Sequence, residues 1–191
     1  GSGVVIIMAV AALVYFLKSE GISTGLSAIL PIIFLCAALT LILSVFASRR
    51  SALQGWLYLV LSHLFILCSM RNDHIDWVQF TMYSSGVILS GFSGFVCLNK
   101  IAAIDQDITL NKFHGYVYEQ KGTALIFLLS AIGLLGFPIT AAFIGIDVLF
   151  TYVQSNQVAA IILLALCFLF LEWAALRIYL RVFLGPHKKL S

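Results

Sequence analysis

The chain has 191 residues, of which 62% are hydrophobic and 10% charged, with a mean hydropathy of +1.07. A soluble domain carries roughly 25% charged residues, so a water-soluble globule is excluded and an integral membrane protein is implied. At roughly 20 residues per crossing plus loops, the length holds about six or seven membrane helices and no additional soluble domain. The formal net charge of +3 is modest, and the basic residues lie mainly in connecting segments, so nucleic acid is not an expected partner.

Apolar stretches between polar punctuation define the elements. Residues 4–17 form a short first crossing. They follow Gly1, Ser2 and Gly3 with neither an n-region charge nor a small-residue cleavage site, the pattern of a helix that stays in the membrane rather than of a signal peptide. The second crossing, 25–48, holds Pro31 in its first turns, where proline is tolerated, and ends at Arg49 and Arg50. The third, 52–70, carries His63. The fourth, 77–98, is the most polar, with Gln79, Thr81, Ser84, Ser85, Ser90 and Ser93. Its Gly86, Ser90 and Gly94 recur at spacings of four, a small-residue stripe that lets helices approach closely in lipid.

Residues 99–121, "NKIAAIDQDITLNKFHGYVYEQK", carry mixed charge and suit a short surface helix or an ordered loop. A fifth crossing covers 123–137, a sixth is supplied by 136–150, and a final run covers 158–184 before "GPHKK". The expected fold is an all-α polytopic transmembrane helix bundle of about six or seven crossings with one interrupted helix. It forms a single transmembrane domain: four helices in 1–98, a connecting segment in 99–121, and the remaining helices in 122–191.

Cys36, Cys68, Cys97 and Cys167 fall singly in four apolar segments, with no C-x-x-C and no alternating His. No disulfide framework, metal site or other cofactor is expected. Arg49, Arg50, Lys100, Lys112 and Lys121 share one side of the membrane if four crossings precede Lys121, and the positive-inside rule places that side in the cytoplasm. Lys188 and Lys189 fall outside if 136–150 fully crosses, and inside if it is re-entrant.

Three ionisable residues lie near the middle of their helices: His63, Asp147 and Glu172. A charge at bilayer depth costs at least about 2.5 to 3.5 kcal/mol on insertion scales, so each faces a bundle interior or a wet cavity. The structural alternatives are a neutral imidazole bridging two helices, and carboxyls that are protonated or paired with an arginine. Glu172 and Arg177 are rotated by about 140° and do not pair along their own helix. Arg177 and Arg181 instead share a face with Trp173, where they stack on the indole or snorkel outward. No S-x-x-K, G-x-S-x-G or metal-ligand pair supports a membrane hydrolase or metalloprotease.

The stretch "GFPITAAFIGIDVLF", 136–150, places Pro138, Gly145 and the carboxylate of Asp147 within a few positions. A helix interrupted in the membrane frees backbone groups that protein or water must satisfy, and half-helix ends offer partial charges to ions. Pro138 and Gly145 permit such a break, and Asp147 places a titratable group beside it. The alternative is a short loop followed by an ordinary helix from Ala141.

"FHGYVYEQKGTALIFLLSAIGLLGFPITAAFIGIDVLF" resembles the late helices of the antiporter-like membrane subunits of respiratory complex I, Mrp cation antiporters and related inorganic-carbon-uptake transporters. The tail "LRIYLRVFLGP" is similar to the family's closing "V-F-F-G-P". The resemblance covers about 113–187. It implies inverted five-helix repeats, a broken helix in each, and a line of intramembrane charges that passes protons. Carried over by position, 136–150 is the later broken helix, and Asp147 stands for its charged residue, with Ile146 where relatives have Lys or Glu. Relatives are about twice as long, and their first-repeat lysine and glutamate helices have no counterpart in 1–98. The chain is therefore expected to be a segment of a longer subunit, or a shortened relative working beside a fuller partner.

The function expected is that of a membrane subunit of a proton- or cation-translocating complex, in a bacterial cytoplasmic membrane or an organelle inner membrane. His63, Asp147 and Glu172 are its relay positions, and other membrane subunits are its partners. Bond chemistry is not expected in this chain; redox chemistry or CO₂ hydration, if coupled, would come from partners. One alternative is a non-conducting scaffold or assembly subunit derived from an antiporter half. A second is an unrelated small-solute transporter, which requires a substrate-sized cavity.

Overall fold

A computed structural model describes residues 24–47, 51–69, 77–105, 108–136 and 158–186. These form five helices: α1 (Thr24–Ala47), α2 (Ala52–Ser69), α3 (Trp77–Ile104), α4 (Lys121–Leu134) and α5 (Val158–Phe183). Each except α4 contains an apolar span long enough to cross a membrane. Together they make an all-α bundle of an integral membrane protein. In hydrocarbon a helix satisfies its own backbone groups, which is why these apolar runs adopt it. α1 passes through Pro31 without ending, as proline is tolerated where neighbouring helices and local adjustment satisfy the freed carbonyl. The proposed first crossing at 4–17 lies outside the described residues.

α2 is the inner helix. Of its span 67% is buried, against 28% to 39% for the spans of α1, α3 and α5. It packs on α1, α3 and α5, while α4 packs on α3 and α5. Cross-helix hydrogen bonds fix direction and register. Arg177 Nη1 donates to Val45 O at 2.8 Å and Cys167 Sγ to Leu35 O at 3.5 Å, so α1 and α5 run parallel. Trp56 pairs with Gly91, and His63, seven residues later in α2, pairs with Tyr83, eight residues earlier in α3, so α2 and α3 are antiparallel. Ser93 with Ser130 and Lys100 with Thr123 make α3 and α4 antiparallel.

Trp56 joins three helices. It is fully buried on α2, its indole N–H donates to Gly91 O of α3 at 2.9 Å, and its ring lies 4.9 Å from that of Phe127 on α4. Gly94 of α3 makes room for it, because a Cβ there would run into the indole. A Cβ at Gly133 of α4 would likewise meet the Ser90 hydroxyl. The small-residue stripe therefore serves two neighbours: Gly94 admits the ring from α2, and Ser90 lies against the backbone of α4.

The end of α1, the start of α2, the end of α3, the start of α4 and the end of α5 meet on one face, which the segment 108–120 caps. α3 continues past 98 to Ile104 because Leu98 and Ile101, both fully buried, extend its inner stripe while Asn99 and Lys100 point outward. The capping segment is an ordered loop rather than a surface helix. Ala52 N–H donates to Ile108 O at 2.9 Å. His114, Tyr116 and Val117 donate their backbone N–H groups to the carbonyls of Arg181, Val182 and Phe183 at 2.9, 3.3 and 2.9 Å. Those are among the terminal carbonyls that a helix leaves without internal partners. Gly115, at φ 73°, lies against Pro186 O, where a Cβ would have no room. Beneath it, Tyr116 OH donates to Asp105 Oδ2 at 2.6 Å. His114 Nε2 is 3.0 Å from Thr109 O, which can only accept, so Nε2 carries a proton.

α4 has 14 residues, about 21 Å at 1.5 Å per residue, against a hydrocarbon core of about 30 Å. It closes with Leu135 N–H on Ala131 O and Gly136 N–H on Gly133 O, and Gly136 sits at φ 67°, as residues ending a helix do. Since Gly133 faces Ser90, α3 extends from that level to Trp77 for about 20 Å more. α4 thus stops within the depth of the bundle. Lys121 lies at the capped end and Val158 at the opposite one, so the chain gains one net crossing between them.

Two outcomes test this architecture. Lys112→Cys and Pro186→Cys, placed singly in a background without the native cysteines, should react with a membrane-impermeant maleimide from the same side; labelling from opposite sides contradicts the capped face. Gly94→Val should lower thermal stability in bilayers by about 1 to 3 kcal/mol through overpacking against Trp56. Gly122→Ala, where an added Cβ meets nothing within 4 Å, should be neutral or slightly stabilising in the same measurement.

Candidate functional site

His63 lies on the buried face of α2 and is 1% exposed. Its Nδ1 is 2.7 Å from the hydroxyl of Tyr83 on α3, itself 2% exposed. The ring of Phe168 on α5 stands edge-on to the imidazole at 6.4 Å between centroids. Three helices therefore converge on this histidine. Phe168 is near the middle of α5 (Val158–Phe183), so the site is close to the middle of the bundle's depth.

The geometry leaves an open end. The Tyr83 hydroxyl can donate to Nδ1, which puts the ring proton on Nε2, or accept from it, which leaves a lone pair on Nε2. In either case His63 Nε2 is buried and has no hydrogen-bond partner among the described residues. Such an atom costs about 1–3 kcal/mol in desolvation unless a partner reaches it. Ser84 Oγ, next to Tyr83 in the chain, is also without a partner among the described residues. An imidazole with one nitrogen on a phenol and the other open can take a proton at one edge and release it at the other.

Glu172 is exposed on α5, one turn beyond Phe168 and on the flank turned away from the bundle. No cation pairs with it among the described residues. Arg177 does not serve, since it donates to Val45 O and lies over the Phe46 ring at 5.6 Å. Arg181 lies over Phe113 at 4.3 Å. Both arginines thus stack on aromatic faces from other segments rather than on Trp173, which stacks on Phe170. Asp147, Pro138, Gly145 and Ile146 lie outside the described residues.

Most hydroxyls in the spans serve their own helices. Thr40, Ser44, Ser62, Ser69, Thr81 and Ser85 each donate to the carbonyl three residues earlier, which satisfies them in hydrocarbon without a neighbour. Ser93 and Ser130, 2.8 Å apart, bridge α3 and α4. They line a groove of about 330 Å³ with Gly86, Ser90 and Gly133 beside the end of α4. All four cysteines are free, Cys36 exposed and the other three buried. Among the described residues, no three His, Cys, Asp or Glu side chains gather as a metal site.

The sequence marks His63 but does not single out Tyr83. Its available signal is weak: an aromatic hydroxyl in the crossing richest in polar groups, facing a helix whose lone histidine needs a partner. No family model, curated protein or solved structure matches the chain.

Proposed function

We propose that this chain is a membrane subunit of a proton- or cation-translocating complex in which His63 and Tyr83 form one link of a proton relay. The observation that supports this most is the buried imidazole, held by Tyr83 at 2.7 Å and open at Nε2. The link continues through Asp147 and Glu172, each contributing a titratable carboxyl. Glu172, on an exposed flank and with no cation beside it among the described residues, is the position where a partner membrane subunit completes the path, because an unpaired intramembrane charge is costly.

The end of α4 supports an ion path independently. A helix that closes at Gly136 within the bundle turns its C-terminal carbonyls, with their partial negative charge, toward the membrane interior. The expected interrupted crossing, 136–150, follows this end directly in the chain and, beyond Gly136, lies outside the described residues. Lys100, Lys112 and Lys121 lie on the capped side, which the positive-inside rule assigns to the cytoplasm. The resemblance to antiporter-like subunits carries the same function, and a bacterial cytoplasmic or organelle inner membrane is the setting it implies.

A scaffold subunit is the second reading. It is favoured by the aromatic enclosure of His63 between Tyr83 and Phe168, and by hydroxyls turned onto their own helices. The two readings separate on proton flux driven by a pH gradient in vesicles carrying the assembled complex, with subunit content measured alongside. His63→Gln and Tyr83→Phe should each reduce flux at least about 100-fold, the lower range for loss of a proton-transfer group, at unchanged subunit content. Asp147→Asn and Glu172→Gln should do the same. Full flux in His63→Gln removes His63 from the path, and full flux in all four variants leaves the scaffold reading.

A further inference from the structure

At the capped end of α5, Arg177 and Arg181 stand one turn apart and open into one groove of about 250 Å³, walled by Phe46, Phe113, Trp173 and Leu180. Each guanidinium is held in place from behind. Arg177 lies over Phe46 and donates one N–H to Val45 O, while Arg181 lies over Phe113 with Nη1 3.5 Å from Asn111 O. A guanidinium carries five N–H donors, so most of each fork stays available. Among the described residues no carboxylate pairs with either arginine. Glu172, the acid closest to Arg177 along α5, is more than a turn deeper and rotated by about 140°.

Capping α1 explains one donor of Arg177. It does not explain a second cation brought into the same groove, where like charges repel. The groove sits where α1 and α5 end, at the level of the membrane boundary. Its walls continue as apolar surface along the span: Trp173 is 61% exposed and Leu176 48%. Two planar forks suit phosphate oxygens, and an apolar wall running toward the bilayer interior suits an acyl chain. We propose that this groove binds the phosphate headgroup of an anionic phospholipid from the leaflet on the capped side, with its acyl chain along Trp173 and Leu176.

The test uses the full chain in bilayers and quenching of tryptophan fluorescence by lipids with brominated chains, with the Trp173 signal isolated by comparison with Trp173→Phe. Brominated phosphatidylglycerol should be preferred over brominated phosphatidylcholine at Trp173 by about five-fold or more, the effect of one basic residue at an anionic surface. Arg181→Gln should bring that ratio close to one, and Arg181→Lys should keep part of it. Arg177→Gln should act similarly. Because it also removes the tie to Val45, Arg181→Gln decides the matter if that variant does not assemble. Millimolar inorganic phosphate should leave the ratio unchanged; competition by phosphate would make this a soluble-anion site and overturn the lipid assignment. Equal affinity for the two lipids, or an unchanged ratio in Arg181→Gln, overturns the proposal and leaves the groove to an acidic segment of a partner subunit.

Discussion

A backbone carbonyl or amide released in hydrocarbon has no water to bind, and that constraint shapes the whole bundle. It keeps the apolar runs helical and turns serine and threonine hydroxyls back onto their own turns. It also explains the capped face, where the last carbonyls of α5 accept from the backbone of His114, Tyr116 and Val117. Arg177 meets the same demand at the end of α1, donating to Val45 O from a neighbouring helix. α4 stops where this demand is hardest to meet, and closes on itself through Leu135, Gly136 and the positive φ of Gly136.

Within that frame, Trp56 sets the packing. A large, fully buried ring, with its N–H on Gly91 O, requires glycine opposite, and Gly94 supplies it. α3 can then approach α2 closely enough for His63 and Tyr83 to meet about two turns further along α2. The candidate relay thus depends on a contact about two turns away in the same helix pair. That coupling is geometric: two antiparallel helices share one register, and a shift at Trp56 moves Tyr83.

The elements are legible in the sequence where hydrophobicity alone decides. Expected crossings at 25–48, 52–70 and 158–184 correspond to α1, α2 and α5 within a residue or two at each end. Legibility fails where tertiary contacts take over. α3 outruns its expected end because Leu98 and Ile101 remain buried under the cap, which no local pattern reveals. The arginines find Phe46 and Phe113 instead of Trp173, since same-helix spacing says nothing about rings arriving from other segments. Of the candidate site, His63 stands out as a lone imidazole in an apolar run. Tyr83 does not, because pairing between α2 and α3 is set by Trp56 and the glycines facing it. Glu172 is legible as an intramembrane acid, whereas its exposed flank depends on which face of α5 the other helices cover.

Proton relay and scaffold differ in what reaches His63 Nε2. Solid-state NMR on the complex in bilayers, with ¹⁵N in the histidine rings and His63 assigned by its substitution, measures magnetisation transfer and exchange between water protons and each ring nitrogen. The relay account predicts a water contact or rapid hydrogen exchange at His63 Nε2, together with a strong hydrogen bond at Nδ1. An imidazole with no water contact, and with ring protons that persist unexchanged, would contradict it.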